Sequence, residues 1–586
     1  MKAKCKKVLN WALPYLAIAT MTYIIMYPQV ISHGVILGTD SIFHFNRFYD
    51  TAKQIQQGSW SYFQSNFSFQ QSGRVINAVY GPLFAYLNGI LLGLLGTWFH
   101  YQVVSSFLVY FIGGVGMYRL AVKVNASRRI ALLVSMIFLC LGWLPRWELA
   151  QNMNAWGATL APFLIMLGIT MLQDRAQPVH WLSLMTLMTI IVQIHLLSSV
   201  FFTLTLIPFF VIGLIRTNHR ERMLLATLKA IVGTVILTAN VWGALLMLNL
   251  HNHIAKPAPF DMVDNALKPT RFSSTRDYLI YFCWLLFILQ LLYVLFTFRR
   301  SLVNSTVTIL GAVLLFISSV WFPWSLVQHA LPGLQTTLQF PNRLTIMAYP
   351  LLLTGVACTC QQLITAPGAD KLRLRIITGL LLFALFQVAI PTTTSVFQRT
   401  AIYESDEVLN TSTALAWVTP NAKSIRQAVH NDYPGQLLLR VEKRAPDYLP
   451  IPEKYLHKKY VRSYAYQDQV IRHSKEFKHT VLPGGRLQLS WRAKQAGPVR
   501  LPIITYQESR LSVNGHQLHH YPRSRVGAPT VYQRKGNNTA VLSFQQAGWF
   551  TFLLVVSLTG LTVLCAYGLY RLVRWVPQKY REIINQ

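Results

Sequence analysis

The feature that most constrains this chain is a recurring run of about 20 apolar residues with almost no charge. Such runs have their centres near residues 20, 110, 137, 163, 188, 206, 237, 287, 312, 352, 383 and 559. An apolar helix of about this length crosses the hydrocarbon core of a bilayer. Hydrophobic residues make up 53% of the chain and charged residues only 12%, so a bilayer must be its main solvent. We therefore predict an α-helical polytopic membrane protein with about twelve transmembrane helices.

Short clusters of lysine and arginine predict how these helices are oriented. They occupy residues 2–7, 119–129, 216–222, 299–300, 371–375 and 571–581. With twelve spans, all of these clusters lie on one face, which the positive-inside rule makes cytoplasmic, so both termini are expected there. A further candidate, residues 81–98, is shorter, rich in glycine and opened by Pro82. Because counting it would break the charge pattern, we interpret it as a juxtamembrane or re-entrant helix.

The net charge of +33 does not indicate a nucleic-acid partner. The basic residues stand beside helix ends and form no stripe on a soluble module, so we expect membrane lipids as partners and no nucleic acid. The predicted exposed domain adds many Lys and His residues, which favours an anionic polymer or anionic lipid at the outer surface. None of the six cysteines lies in that domain, which suits a bacterial surface.

Polar segments between the apolar runs predict the domain organisation. We expect residues 1–390 to form a transmembrane domain whose first outer loop is 32–100. Residues 391–547 would form an extracytoplasmic domain, and 548–586 the last helix with a basic cytoplasmic tail. Within the exposed domain, short strand-like stretches and the hairpin signal Asn514-Gly515 predict a small β-sandwich. The stretches are 486–491, 499–505, 509–513 and 540–544.

The first outer loop carries polar residues at helical spacing directly after the first span. Asp40, His44 and Arg47 stand at i, i+4 and i+7, so a helix would place them on one face. Asp40 would lie near the positive N-terminus of that helix. The alternative is structural, because Thr39 or Asp40 would also cap the helix well.

The second outer loop, residues 145–154, places one cation, one carboxylate and several amides between two apolar spans. Such a loop could be a solvated connector. A carboxylate so near the membrane, Glu148, also suggests function when Asp40 shares its side. Two acids that face one cleft could hold a divalent ion or divide the work of a general base.

Two further outer segments contain candidate residues. His195 lies at the outer end of its span, where a histidine bonded to a carbonyl is the commoner explanation. Residues 339–343 open another span and include Gln339 and Arg343. An interfacial arginine could snorkel to water, or its planar guanidinium could clamp a lipid phosphate.

Several common signatures are absent from the sequence. It has no Walker loop, no dinucleotide glycine fingerprint after a strand, no His-Glu-x-x-His and no Gly-x-Ser-x-Gly. Nucleotide-driven chemistry inside the cell is therefore not expected. The two inverted halves with broken helices that mark many secondary transporters are not evident either.

Taken in order, these elements resemble the GT-C superfamily of polyprenyl-phosphate-dependent membrane glycosyltransferases, and most closely its bacterial YfhO-like group. The resemblance covers nearly the whole chain. It is carried by residues 38–47, Tyr80-Gly81-Pro82-Leu83, Arg146 with Glu148, His195, residues 339–343, Asp447-Tyr448-Leu449-Pro450, and a β-rich outer domain before one terminal helix.

The resemblance implies a function and roles for these residues. The enzyme would move a sugar from a polyprenyl-phosphate donor to an anionic cell-surface polymer or glycan, on the outer face and with inversion. Asp40 would be the catalytic base or its metal-linked orienter and Glu148 its partner acid, with Mg or Mn as a candidate ion at the two acids. The substrate-binding residues would be His44, Arg47, Arg146, His195, Gln339 and Arg343.

The sequence departs from the family pattern in two places, and two alternative functions stay open. The first loop has a single acid where some relatives have a pair, and Arg-x-Glu stands where others have an Asp-x-Asp-like motif, which puts metal use in doubt. A flippase for a lipid-linked glycan would also need outer-facing charges, but few ionisable residues lie within the predicted spans. A scaffold whose β-rich domain binds a partner would not need Asp40 or Glu148.

Overall fold

The computed structural model describes residues 2–271, 275–368, 370–409, 415–418, 421–444, 446–456 and 463–585. Part of the predicted basic tail, the side chains from residue 576 onward, lies outside this description. The chain is mainly helical. Its helices are α1 Lys2–Ser32, α2 Ser41–Gln57, α3 Pro82–Leu95, α4 Trp98–Lys123, α5 Arg128–Leu139, α6 Arg146–Ala150, α7 Asn154–Gln173, α8 Trp181–Ile194, α9 Leu196–Arg216, α10 Arg220–Leu237, α11 Ala239–His251, α12 Tyr281–Phe296, α13 Leu302–Ser318, α14 Trp324–Ala330, α15 Leu334–Thr337, α16 Thr345–Thr365, α17 Lys371–Glu404, α18 Ala422–Val429, α19 Gly435–Leu438, α20 Ser463–Tyr466 and α21 Gly548–Asn585.

Within the described residues, seven helices are long and apolar enough to cross a membrane, or eight if the bent pair α10 and α11 forms one span. Four further apolar helices, α3, α8, α12 and α13, are shorter. Every predicted apolar run has its centre on a helix, so the prediction of a multi-helix membrane protein is confirmed. The number twelve stays a prediction, because several of these helices are too short to span by length alone.

The span expected near residue 237 is interrupted. Helices α10 and α11 meet at Thr238 and are bent by 59°. Next to the bend, the buried side chain of Asn240 accepts hydrogen bonds from Gln193 Nε2 at 2.7 Å and from Ser557 Oγ at 2.9 Å. Its carbonyl accepts from the Tyr62 hydroxyl. Neighbouring elements therefore satisfy the polar groups at the break, as a membrane interior requires.

The core of the bundle lies around α4, α5, α7 and α16. In α16 83% of the spanning window is buried, whereas in α21 only 6% is, so α16 is central and α21 peripheral. Small residues allow the close packing. A Cβ on Gly168 would lie 2.8 Å from the Phe209 ring, and one on Gly116 would lie 2.7 Å from the Phe163 ring. Glycine at such positions is a common device of helix packing in membranes.

The β-rich domain lies between α17 and α21. A five-stranded antiparallel sheet has the order β5-β6-β11-β8-β9, and β7 pairs with β10 separately. Side chains from both sheets, among them Leu487, Leu542 and Val531, share one apolar core, as expected for a small sandwich. The strands of the chain are β1 Lys268–Thr270, β2 Tyr278–Ile280, β3 Leu415–Trp417, β4 Val441–Lys443, β5 Lys478–Leu482, β6 Arg486–Ala493, β7 Gly497–Arg500, β8 Ser509–Val513, β9 His516–Leu518, β10 Thr530–Gln533 and β11 Gly536–Phe544.

Details of this domain follow the sequence signals with two differences. Val513 pairs with His516, and Asn514 and Gly515 adopt φ of 51° and 86°, so the predicted hairpin turn is confirmed. The strand expected over 499–505 ends at Arg500. The domain was expected to begin at residue 391, but α17 continues through Pro391 as far as Glu404.

Candidate active site

The first outer loop is held against the second by backbone packing at Gly38. A Cβ at this position would overlap the carbonyl oxygen of Leu149 and lie 2.5 Å from Cα of Ala150. Two residues later, the Asp40 amide donates to the Ala150 carbonyl at 3.2 Å. Only glycine permits this approach, so Gly38 fixes where α2 starts relative to α6.

Asp40 lies at the N-cap of α2, yet its carboxylate makes no capping hydrogen bond to the described residues of that helix. One oxygen, Oδ1, lies 2.7 Å from Lys443 Nζ, and the other accepts from Asn152 Nδ2 at 2.8 Å. Lys443 Nζ also donates to the Thr39 carbonyl at 2.8 Å. The carboxylate therefore joins three parts of the chain: α2, the second loop and strand β4.

The charge state of Asp40 follows from these partners. Burial alone would raise the pKa of this carboxyl, but the charges of Lys443 and His44 and the hydrogen bonds of Lys443 and Asn152 outweigh it. The pKa falls from 3.8 to about 2. The carboxyl is therefore ionised at neutral pH. Because 29% of its side chain is exposed, it can also be reached by a ligand.

His44 and Arg47 lie one and two turns further along α2, and both are buried. Arg47 Nη1 donates to His44 Nδ1 at 3.0 Å, and its Nε donates to Asn77 Oδ1 at 3.0 Å. Its Nη2 donates to the carbonyl of Tyr80, whose ring lies 4.6 Å from the guanidinium. Arg47 therefore ties α2 to the loop before α3. Burial and the charge of Arg47 hold the pKa of His44 well below 6.5, so its ring is neutral.

The surroundings of the Glu148 carboxyl differ from those of Asp40. Its side chain is fully buried, and Oε2 accepts from the Tyr110 hydroxyl at 2.9 Å. Burial raises the pKa of Glu148 to about 8, with the Tyr110 hydrogen bond opposing the shift. The carboxyl is therefore neutral at pH 7, and the groups that determine its pKa do not include Asp40.

Several arginines lie at the end of the helix bundle where Asp40 is found. The Phe340 ring has the guanidinium of Arg343 4.6 Å from its centre and that of Arg276 at 4.9 Å. Arg146, half-buried in α6, has its pKa lowered to about 10 by burial and by the nearby charges of Arg276 and Arg399. Like charges held together without full compensation attract an anion.

Two of these arginines have hydrogen-bonding capacity left over. Arg343 donates to the Leu338 carbonyl at 2.7 Å and to Gln339 Oε1 at 3.0 Å. Its Nε, and the Nε of Arg146, are buried without a hydrogen-bond partner within the described part of the chain. Gln339 thus orients Arg343, and two N–H groups remain for a ligand that accepts hydrogen bonds.

His195 joins helices α8 and α9 close to this group. Its Nδ1 lies 2.8 Å from Ser198 Oγ, and its ring centre lies 6.3 Å from that of Tyr80. Burial and the charges of Arg343 and Arg47 lower its pKa to about 3, so the ring is neutral. Its bonding partner is a hydroxyl, where a carbonyl was the expected structural partner.

Several residues of the site were missed by sequence reasoning. Lys443 is one, and the neighbours Arg276 and Asp277 are others: they pair at 3.0 Å, and Asp277 also accepts from Asn342 at 2.8 Å. Adjacent opposite charges just before a span could have indicated the Arg276 pair. Lys443 had no local signal, because it lies 403 residues from its partner in sequence.

The residues do not fit a divalent metal at Asp40 and Glu148. Both Asp40 oxygens are already bonded to Lys443 and Asn152, and Glu148 is a neutral acid against Tyr110. Among the residues that the structure describes, no group of three or more His, Cys, Asp or Glu side chains could hold a metal ion. A hard divalent cation needs several anionic or carbonyl oxygens together.

Comparison with known proteins gives weak similarities only. No family model and no curated protein matches the sequence. The chain is similar in structure to the oligosaccharyltransferase of Archaeoglobus fulgidus, solved with an acceptor peptide, at 12% identity and a TM-score of 0.41. That match covers 66% of this chain but 56% of the oligosaccharyltransferase, so the chain spans little more than half of that protein.

A second similar structure is ArnT from Cupriavidus metallidurans, solved with undecaprenyl phosphate. The identity is 10%, the TM-score 0.40, and the match covers 67% of this chain and 78% of ArnT.

Proposed function

We propose that this chain is a membrane glycosyltransferase that moves a sugar from a polyprenyl-phosphate donor to an acceptor hydroxyl. The observation that carries the proposal is one ionised, reachable carboxylate, Asp40, at the end of a helix bundle rich in arginine. A base and a set of cations are what transfer from a phosphate-linked sugar needs. The sequence resemblance to the YfhO-like group of the GT-C superfamily supports the same conclusion.

The reaction is a single displacement. The acceptor oxygen forms a bond to the anomeric carbon of the donor, and the bond from that carbon to the phosphate oxygen breaks. The electron pair leaves with the polyprenyl phosphate, and the hydroxyl proton goes to Asp40. One displacement inverts the configuration at the anomeric carbon.

The arginines act on the leaving group. Negative charge grows on the phosphate as the bond breaks, and N–H donors already in place stabilise it without reorganisation. Arg343 and Arg146 each keep a buried Nε free of hydrogen bonds within the described residues, which suits a phosphate oxygen. Arg47 has its donors committed to the protein, so its role is to position α2 and the Tyr80 loop.

Without a donor, the pairing with Lys443 keeps Asp40 a weak base. A carboxylate with a pKa of about 2 is a weak base, because a general base works best with a pKa near the working pH. A donor phosphate entering beside Asp40 draws the Lys443 ammonium towards itself. Burial then raises the pKa of Asp40, and the carboxylate becomes a stronger base only when the donor is present.

The remaining parts of the proposal concern place and partners. Transfer takes place on the outer face of a bacterial membrane, with the β-rich domain beside the acceptor, and the acceptor is a surface glycan or anionic polymer. The basic clusters at helix ends support this orientation. No step is assigned to a metal, since the Asp40 oxygens are bonded to Lys443 and Asn152.

The experiment is sugar transfer in membranes that carry matched amounts of each variant, supplied with a panel of radiolabelled sugars on undecaprenyl phosphate. Asp40→Asn should lower transfer at least about 100-fold. The matched control is Asp406→Asn, the same change at an exposed acid, which should leave transfer unchanged. Full transfer by Asp40→Asn would overturn the proposed role of Asp40. A wild type that uses none of the donors would overturn the proposed function.

A further inference from the structure

A cavity lies beside a face of α2 other than the one that carries Asp40. Three residues at helical spacing, Tyr49, Lys53 and Gln57, form one of its walls. The other walls come from residues 67–71 of the first outer loop, from residues 433–439 and from residues 474–481 of the β-rich domain. Its volume is about 520 Å³, which is enough for more than one sugar ring. Neither Asp40 nor any of the arginines around Phe340 lines it.

The lining of this cavity is basic. It includes Lys53 and Lys475 together with His479, and no Asp or Glu lines it within the part of the chain that the structure describes. Burial lowers the pKa of His479, so the two lysines carry the charge. A cavity with cations and no acid favours a ligand that carries negative charge.

An aromatic ring stands next to this charge. Tyr433 is 45% exposed, and Lys53 Nζ lies 4.7 Å from the centre of its ring. Its hydroxyl accepts a hydrogen bond from the Tyr49 hydroxyl at 2.8 Å, which fixes the ring. Exposed aromatic faces offer an apolar surface with a polar edge, and the nearby amide of Gln57 and hydroxyl of Thr480 supply hydrogen bonds. These are the groups that bind a saccharide.

One wall of the cavity has a conformation that is costly for the chain. Phe69, Gln70 and Gln71 have φ of 50°, 57° and 51°, in the left-handed region that residues other than glycine rarely adopt. Such strain persists only where surrounding contacts fix it, and it is frequent at ligand-binding sites.

The β-rich domain supplies those contacts. Four consecutive carbonyls of the first outer loop, from Phe69 to Ser72, accept hydrogen bonds from the domain. The donors are the Tyr466 hydroxyl at 3.2 Å, Ser474 Oγ at 3.1 Å, His479 Nδ1 at 3.1 Å and the Ile504 amide at 2.8 Å. The cavity is therefore formed by two distant parts of the chain that are held in one geometry.

The same loop leads from the cavity to Asp40. The Phe69 amide donates to Asn46 Oδ1 at 2.6 Å on α2. Gln70 Nε2 donates to Glu442 Oε2 at 3.2 Å, and Glu442 precedes Lys443, the partner of Asp40. A ligand in the cavity thus contacts a loop that is hydrogen-bonded to α2, the helix that begins at Asp40, and to Glu442, the neighbour of Lys443.

We infer that this cavity binds an anionic saccharide, with a sugar ring on Tyr433 and its carboxylate or phosphate between Lys53 and Lys475. Its position between the first outer loop and the β-rich domain makes it the site that holds the acceptor glycan during transfer. This assignment as an acceptor site rests on the proposed function, whereas the binding of an anionic saccharide does not.

The test measures binding by the full-length protein in nanodiscs of phosphatidylcholine, which has no net charge. Three fluorescent probes are compared by anisotropy: a hyaluronan hexasaccharide with carboxylates, a glycerol-phosphate oligomer with phosphodiesters, and neutral maltohexaose. We expect one of the anionic probes to bind at least about 10-fold more tightly than maltohexaose. The anionic probe with the higher affinity shows whether the site binds a carboxylate or a phosphodiester.

Variants locate the binding. The double change Lys53→Gln and Lys475→Gln should weaken the anionic probe at least about 10-fold. The control pair Lys494→Gln and Lys535→Gln removes the same charge at exposed positions outside the cavity and should leave the affinity within about 2-fold.

Three results would overturn the inference: no binding of either anionic probe, equal loss in both lysine pairs, or unchanged affinity in the cavity pair. Asp40→Asn should bind the probe as the wild type does. If Asp40→Asn also retained transfer, the proposed role of Asp40 would fail while the cavity remained a saccharide site. A wild type that bound the probe but used none of the donors would overturn the proposed function and leave the cavity a saccharide site. Loss of transfer in Asp40→Asn without any probe binding would leave the proposed function intact and remove only the cavity assignment.

Discussion

The first and second outer loops each bring one carboxylic acid to the same region of the molecule, and the two acids are opposites. Asp40 is ionised, partly exposed and paired with an ammonium and an amide. Glu148 is buried and neutral, and its partner is a phenol. Both residues looked equivalent in the sequence, as acids just outside a span. The difference shows that the environment of each carboxyl, and not its distance from the membrane, determines what it can do.

The largest contrast is expected in catalysis. Asp40→Asn removes the only proposed base, so transfer should fall about 10²-fold to 10⁴-fold. Glu148→Gln keeps the volume and can still accept from Tyr110, so transfer should stay within about 3-fold of wild type. Initial rates at matched protein amounts measure both. A similar loss in the two variants would remove the distinction between the acids.

The next contrast concerns the glycine that brings the loops together. Gly38→Ala forces a Cβ into the Leu149–Ala150 backbone and should destabilise the protein by about 1–3 kcal/mol. It also moves Asp40 relative to Asn152, so transfer should fall about 100-fold. The control is Gly379→Ala in α17, where an added Cβ meets no atom within 4 Å. Thermal unfolding and initial rates check both effects, and equal behaviour of the two variants would contradict this account.

A smaller effect is expected at Lys443, and it appears in the pH profile. The lysine helps to hold the pKa of Asp40 at about 2, so Lys443→Met should let burial raise this pKa above its ordinary 3.8. Transfer by the variant should then be lost at a higher pH as the solution is acidified. At neutral pH it should be about 10-fold lower, because the variant has no ammonium to pair with the donor phosphate, and this loss outweighs the gain in basicity of Asp40.

Lys443→Arg retains the positive charge and serves as the control for Lys443→Met. Its acid limb should stay near that of the wild type. The pH dependence of kcat/KM from pH 3 to pH 8 is the measurement. Coinciding acid limbs in the Met and Arg variants would show that Lys443 does not control Asp40.

The smallest effect concerns stability and belongs to Glu148. Its pKa rises from 4.5 to about 8 in the folded protein, so the folded state binds the proton more tightly than the unfolded state. This stabilisation is complete below pH 4.5 and is lost as the pH rises through 8. Glu148→Gln should therefore show a smaller fall in unfolding temperature between pH 5 and pH 9. An equal fall in the variant and the wild type would place the titration elsewhere.

The general architecture could be read from the sequence because it depends on local patterns. Runs of apolar residues identify helices in a bilayer, and Asn514-Gly515 identifies a hairpin because its backbone needs positive φ. The helical spacing of Asp40 and His44 is likewise local, and the His44 amide indeed donates to the Asp40 carbonyl at 3.0 Å.

Other parts of the site depend on contacts between distant segments. Lys443 approaches Asp40 only because β4 folds back onto the first outer loop, and no spacing rule connects the two. The neutrality of Glu148 depends on the facing side chain of Tyr110, which the loop sequence does not reveal. The bend at Thr238 was missed because the apolar run continues across it. The functional roles of all these residues remain predictions.

The hydrogen bonds between the first outer loop and the β-rich domain also have a consequence for biosynthesis. The loop leaves the ribosome about 400 residues before its partners Tyr466, Ser474 and His479. At translation rates of about 5–20 residues per second, the interval lasts tens of seconds. During that time Asp40 lacks Lys443, and the four loop carbonyls lack their donors from the β-rich domain; by its end only helices α1 to α17 of the membrane part have been synthesised. These contacts therefore form only after α1 to α17 have been synthesised, and a nascent chain interrupted before the β-rich domain carries Asp40 without the contacts that hold it in place.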